Sequence, residues 1–318
     1  MSQLLLLAVT VGATYFLAAS VLVPRVNYMQ RNPPPPAQVV EATLDKYNIN
    51  DKTPVPQRFA TWAAGAIKGD FGKTWQGGSV NDEIARRAGV SLRLLLAGTL
   101  VGVLAGVLLG SLSAVRQYGV TDRAITVSSF VLLAAPTVVI ATVLIILATK
   151  FNAAMGGKVL EFTGEFDPSR DFTFLGELGN RLNHLILPTL TLALIGISFY
   201  SRYQRNMMLD TLNQDFIRTA LAKGLSQRTA LYKHALRTSL IPTATYFAFS
   251  FGTILTGSIF VEKIFGWHGM GAFLVDSIQA QDINSVVAGS LFAAICVVFA
   301  ALLSDLLVAA LDPRVRVN

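Results

Sequence analysis

Six runs of about 20 apolar residues divide this chain. They are approximately Leu4–Val23, Leu94–Val115, Ala124–Thr149, Leu185–Ser201, Thr238–Val261 and Ile283–Leu311. A bilayer core of about 30 Å takes a helix of that length. Lipid offers no water to the backbone, so every N–H and C=O in such a run must be satisfied inside a helix. The fourth run is short and needs a further turn at either end. The chain is 53% hydrophobic and only 14% charged, whereas soluble domains are about a quarter charged. The expectation is an all-α polytopic membrane protein with six transmembrane helices. Ala18-Ala19-Ser20 resembles a signal-peptide cleavage site. However, Met1-Ser2-Gln3 gives no positive n-region and five more spans follow, so the first run is read as a retained helix.

Charge sets the orientation. The loop after the second run carries Arg116 and Arg123, and the tail carries Arg314 and Arg316. The loop after the fourth run carries Arg202, Arg205, Arg218, Lys223, Arg228, Lys233 and Arg237, against Asp210 and Asp215. With six spans all three segments share one side, which is cytoplasmic by the positive-inside rule, and both termini lie there. The long basic loop after the first run is largely exempt from that rule. The net charge of +7 is therefore topology and loop chemistry. It is not a nucleic-acid footprint, because no basic run is interleaved with stacking aromatics.

The organisation read from these runs is a first transmembrane helix over 1–23, an extracytoplasmic extension over 24–93 and a five-helix core over 94–318. Within the extension, Pro33–Pro36 is a stiff polyproline spacer. Helical patterns near Ala37–Tyr47 and Gln57–Ile67 make it too long and too patterned for a bare connector. The loop Lys150–His184 is acidic in its middle, with Glu161, Glu165, Asp167, Asp171 and Glu177, and reads as a solvated surface loop. Glu262–Asp282 is short and glycine-rich, and is expected to dip towards the membrane or cap the bundle. In the second run Gly98, Gly102, Gly106 and Gly110 form a smooth i, i+4 stripe for close helix packing, with the partner helix open. Pro136 and Pro188 fall inside runs and are expected to kink them. Cys296, the lone cysteine, reads as a small buried hydrophobe.

A polar, basic, helix-prone segment, Asp215 to Pro242, sits between two apolar runs. Phe216, Ile217, Ala220 and Leu221 share one helical face. Gly224 stands where a C-terminal cap belongs, Ser226 can N-cap a second helix, and Pro242 opens the next run. This reads as a rigid elbow, within a cytoplasmic loop of about 202–240, offered to a soluble partner.

Other chemistry is sparse. Ile67 to Thr74, IKGDFGKT, nearly matches a phosphate-binding loop, but Ile67 stands where the first glycine is required and no strand precedes it. His184, His234 and His268 fall in separate loops without a nucleophile nearby. Mid-span ionisable residues, which ion-coupled carriers need, are missing. Arg93 and Asp305 lie near span ends. Active transport would then need an external motor.

Several segments resemble a known family. Phe216-Ile217-Arg218-Thr219-Ala220 followed by Ala222-Lys223-Gly224-Leu225 is similar to the coupling loop of ATP-binding-cassette importer permeases, in its peptide/nickel version. Arg218-Thr219-Ala220 stands where the general motif has Glu-Ala-Ala. Gly69-Asp70-Phe71-Gly72, the segment from Val261-Glu262 to Gly271, and Asp305 through Asp312-Pro313-Arg314-Val315-Arg316 resemble further marks of that family. The family usually opens with arginines before its first span, which this chain does not.

The resemblance implies a type I importer permease fold with a small extracytoplasmic extension between the first two helices. It implies an oligopeptide or dipeptide importer in the plasma membrane of a prokaryote. The expected partners are a second homologous permease, two cytoplasmic ATPases that hold the ATP and Mg, an extracellular substrate-binding lipoprotein, the peptide and the bilayer. No cofactor is expected in this chain. The expected ATPase-coupling residues are Asp215, Phe216, Arg218, Thr219, Ala220, Lys223, Gly224 and Leu225. The same architecture importing nickel chelates, haem or glutathione stays open. So does a stand-alone channel or carrier, which would not need the elbow.

Overall fold

The structure, a computed structural model, describes residues 2–168, 173–226 and 229–311. Asp171, Arg228 and the ending from Asp312 to Arg316, all used in the sequence reading, lie outside the described residues. The described residues are helical apart from turns and a single isolated bridge, Lys73 to Ser79. Two compact units form, one from Met1–Leu92 with His268–Val298 and one from Arg93–Trp267 with Phe299–Asn318.

In the first unit, α1 (Ser2–Val21) is followed by three helices of the extension: α2 (Arg25–Met29), α3 (Ala37–Lys46) and α4 (Val55–Ile67). The start of α5 (Val80–Val115), α11 (Met270–Gln279) and the start of α12 (Ile283–Leu311) complete it. Its core gathers Tyr15, Leu22, Leu44, Ile49, Trp62, Ile283 and Val287. Charge orders the extension: Arg25 bridges Glu41 at 2.9 Å and Asp51 at 2.7 Å, and Asn50 joins the same group. The Arg25 guanidinium, with Lys52, brings the Glu41 carboxyl down to about 2.

The segment that nearly matches a phosphate loop is a packed corner between α4 and α5. Phe71 N–H donates to Asn81 Oδ1 at 2.9 Å, and the Trp62 ring N–H reaches the Phe71 carbonyl at 3.3 Å. Gly72 has φ +88°, and a β-carbon there would lie 3.1 Å from Asn284 Nδ2. That amide also donates to the Lys73 carbonyl at 2.8 Å. Beside it, buried Asp282 accepts from Trp75 N–H at 3.0 Å, and burial raises its carboxyl pKa.

In the second unit, α8 (Phe174–Leu212) is the central post, packing against α6 (Val120–Ala134), α7 (Thr137–Ala154) and α10 (Leu236–Ile264). Five stretches among the described residues are long and apolar enough to cross a membrane: Gln3–Met29, Val80–Val115, Thr137–Ala154, Phe174–Leu212 and Ile283–Leu311. The remaining run, Thr238–Val261, lies inside the 29-residue α10, some of whose side chains are outside the described set.

Three details differ from the sequence reading. The third run is two helices, because Pro136 disfavours helical backbone in the residue before it; Ala135 is extended, with φ −82° and ψ 127°. Pro242 lies inside α10 rather than opening it. His184 is inside α8 and buried, its Nδ1 2.9 Å from the Asn180 carbonyl and its Nε2 3.7 Å from Glu161.

Candidate coupling site

The elbow is α9 (Asp215–Ala222). Its end is set by the backbone. Gly224 has φ +88° and donates to the Leu221 carbonyl at 2.9 Å, and Leu225 N–H reaches back to Ala220 at 3.2 Å. These two bonds make the Schellman ending that satisfies the last carbonyls of the helix. Ser226 Oγ then accepts from Thr229 N–H at 3.2 Å, ahead of the π-helical stretch Ala230–Ala235. A β-carbon at Gly224 would meet nothing within 4 Å. Glycine is required there by the left-handed backbone, not by crowding.

One residue of α9 anchors it. Ile217 is 4% exposed, in a cluster with Ala114, Met208 and Ala235, edged by Leu209, Leu212, Leu231 and Leu236. Phe216 and Leu221, which share its apolar face in sequence, are each 41% exposed. Asp215, Arg218, Thr219, Lys223 and Gly224 are exposed, while Ala220 and Leu225 are half-buried. Arg218 and Asp215 sit 3.9 Å apart in open solvent. A pair so exposed contributes little to stability, which leaves both charges available to another surface.

Behind this helix lies a polar clamp that the sequence reading did not find. Arg205 of α8 grips Asp122 of α6 with two bonds, Nε to Oδ1 at 2.7 Å and Nη2 to Oδ2 at 2.8 Å. Ser113 of α5 donates to the same carboxylate, as does the Tyr118 N–H at 2.8 Å. The guanidinium holds the Asp122 carboxyl well below the usual carboxylate range. Nearby, buried Gln204 donates to Ser239 Oγ at 2.9 Å and accepts from Thr243 Oγ1 at 2.6 Å, joining α8 to α10. Arg237 donates to the Leu311 carbonyl at 3.2 Å, a cation at the end of α12. Arg205 and Arg237 entered the sequence reading only as topology charges. Asp122 is 83 residues from its partner, and no local period signals such a pair.

The glycine stripe lies on α8. A β-carbon at Gly98 would stand 2.7 Å from Leu192 Cβ, at Gly102 3.2 Å from Gly196 Cα, and at Gly106 2.5 Å from Tyr200 Cβ. At Gly110 it would meet the Ser201 carbonyl and Gln204 Cβ, the latter at 2.9 Å. Backbones approach this closely only where side chains are absent. The stripe thereby fixes α5 to the same α8 that carries Arg205 and leads directly into α9.

Residues 106–317 match the family model described as the binding-protein-dependent transport system inner membrane component. The oligopeptide transport system permease protein OppB of Mycobacterium tuberculosis is 48% identical over 318 residues, covering all of this chain and 97% of that protein. The oligopeptide permease protein AppB of Bacillus subtilis is 35% identical over 279 residues, 87% of this chain and 84% of its own. The dipeptide permease protein DppB of Escherichia coli is 30% identical over 291 residues, 87% and 84% respectively. With its apolar helices and this match, the chain belongs to the family of inner-membrane components of binding-protein-dependent transport systems.

Proposed function

We propose that this chain is the permease subunit of an ATP-driven peptide importer. It forms half of a translocation pathway with a second, homologous permease. Two cytoplasmic ATP-binding-cassette subunits bind the ATP and Mg and carry out the hydrolysis, and an external substrate-binding lipoprotein delivers the peptide. The chain itself is not an enzyme and holds no cofactor. It lies in the plasma membrane of a prokaryote with both termini in the cytoplasm.

The observation that carries this reading is α9. A helix whose one fully buried side chain is Ile217, with Phe216 and Leu221 exposed, is built to dock into a partner's groove. Amphipathic helices enter such grooves through their apolar face. Asp215, Arg218, Thr219, Ala220, Lys223, Gly224 and Leu225 complete the proposed contact surface, with the Gly224 turn aiming it. The clamp at Asp122 and the stripe at Gly98, Gly102, Gly106 and Gly110 supply the rigid body behind it.

Phe216→Ala and Gly224→Val test the proposal. Phe216 is outside the core, so its truncation should leave folding and insertion intact. Gly224→Val places a β-branched residue in left-handed backbone, a local strain of about 1–2 kcal/mol. Both should abolish peptide uptake and weaken co-purification of the ATPase subunits, while the external binding protein still docks. Unchanged uptake and unchanged ATPase retention in both variants would remove α9 as the coupling site. For the topology, cysteines at Ser226 and Ala42 should label from opposite faces of sealed cells, and labelling from one face would overturn it.

A further inference from the structure

The extension contains two helices of different character. The exposed positions of α3 include Asp45 and Lys46, and half-buried Glu41 sits in the Arg25 cluster, as expected of a helix in water. The outward positions of α4 are Pro56, Gln57, Ala60, Thr61, Ala64 and Ile67. None is ionised, and Ile67 is 88% exposed. The one charged residue of α4, Arg58, is turned inward to 2% exposure, with Nε donating to the Thr53 carbonyl at 3.0 Å. Charges resume immediately outside the helix, at Asp51 and Lys52 before it and Lys68 and Asp70 after it.

The contacts of α4 fix its depth. The Phe59 ring packs on Tyr15 and Phe16, each at 5.3 Å between centroids, and its tip lies 3.7 Å from a β-carbon built at Gly12. Trp62 packs on Tyr15 at 5.5 Å. The apolar run of α1 ends near Leu22, just before Arg25 and its ionised partners. At about 1.5 Å of rise per residue, Tyr15 and Gly12 lie roughly 10 and 15 Å below that end. A run of about 20 residues has little length to spare across a core of about 30 Å, so those residues sit inside the hydrocarbon. Leu17, less than a turn above Tyr15, is 66% exposed, an apolar side chain suited to lipid.

From this continuity we infer that α4 is not a water-facing helix of the extension but lies in the membrane. Its outward face is covered by acyl chains of the leaflet next to the C-terminal end of α1, which is the outer leaflet in the topology proposed above. The Thr61 hydroxyl and the two ends of α4 suit that setting. Thr61 Oγ1 bonds the Gln57 carbonyl at 3.1 Å, and Pro56 removes one of the N–H groups a helix start leaves unmet. At the other end Lys68 and Asp70 N–H both return to the Gly65 carbonyl, at 2.8 and 3.0 Å. The inference needs only that α1 spans the bilayer, and it stands or falls separately from the coupling role of α9.

Nitroxide labels at Ala60→Cys, Ala64→Cys and Ile67→Cys test it, with Gln38→Cys and Ala42→Cys on α3 as references. The full chain is labelled as purified with its accompanying subunits and placed in phospholipid vesicles. Power saturation with oxygen and with a soluble nickel chelate on both faces then reports lipid against water. The ratio of oxygen to nickel accessibility should be several-fold higher on α4 than on α3. Nickel accessibility on α4 equal to that on α3 would put the helix in water and overturn the inference. Shielding from both reagents would overturn it too, because the face would then be covered by protein.

Discussion

Gly106 makes the sharpest test of how α5 is held. An alanine there would put its β-carbon 2.5 Å from Tyr200 Cβ, whereas carbon atoms pack best at about 3.5–4.0 Å. The two helices must therefore separate by about 1 Å or more, or twist, and all four stripe contacts share the loss. Overpacking of this kind costs about 1–3 kcal/mol, and this contact belongs at the upper end. Alanine also returns up to about 1 kcal/mol of helix propensity over glycine. The net loss is about 2 kcal/mol. Gly89 is in the same helix, but a β-carbon there would meet nothing within 4 Å. Gly89→Ala should therefore gain up to about 1 kcal/mol, leaving the two variants about 3 kcal/mol apart. Gly102→Ala, at 3.2 Å from Gly196 Cα, should fall between them, and Gly106→Leu should be worse than Gly106→Ala. Reversible unfolding of the purified protein in lipid or mild detergent reads the order. Tyr200→Ala should not rescue Gly106→Ala, because the closest offending atom is the β-carbon that alanine keeps. In a double-mutant cycle Tyr200→Gly should lower the cost of Gly106→Ala, the 3.3 Å contacts with the Ile197 backbone remaining. Equal stability of Gly106→Ala and Gly89→Ala would show that the stripe does not hold α5 against α8.

Two further outcomes rest on the charged groups. Arg205→Met should cost about 3 kcal/mol by leaving the Asp122 carboxylate buried and unpaired, and Arg205→Lys should cost less; thermal midpoints of the purified variants check this. In the extension, Arg25 and Lys52 depress the Glu41 carboxyl from 4.5 to about 2, and Arg25 also lowers that of Asp51. A carboxyl with a lowered folded value stabilises above its unfolded value and loses that contribution as the pH falls through the folded one. Amide protection factors in the extension, taken against the intrinsic exchange rate at each pH, should therefore fall between about pH 4.5 and pH 2, and Arg25→Ala should flatten that dependence.

Membrane spans were legible because lipid imposes one requirement on every residue of a run. The ends of the helices were not, since other forces set them. Thr173 starts α8 by accepting from Gly176 N–H, well upstream of the apolar run at Leu185, and polar turns extend it to Leu212. The i, i+4 glycines marked a packing face, yet their partner was hidden, because Gly196 is a lone glycine in a long apolar stretch. Periodicity put Phe216, Ile217 and Leu221 on one side of α9. Only the neighbours of that helix, Met208 and Ala235 above all, decide that Ile217 turns inward while the other two stay exposed.

The two prolines show the same limit at its plainest. Each follows an apolar residue inside an apolar run, and each disfavours helical backbone before it to the same degree. At Pro136 the chain gives way: the proline is exposed and Ala135 only half-buried, so little packing opposes an extended residue. At Pro188 the helix continues. Leu187, Thr191 and Leu192 are all buried around it, and Thr191 Oγ1 bonds the Leu187 carbonyl at 2.9 Å. An extended residue there would pull that whole turn out of contact. Close packing of these side chains and the backbone bonds of the turn, which are what hold helices together in lipid, outweigh the roughly 3 kcal/mol a helical proline costs. The local rule was the same at both sites, and the surrounding packing decided which one broke.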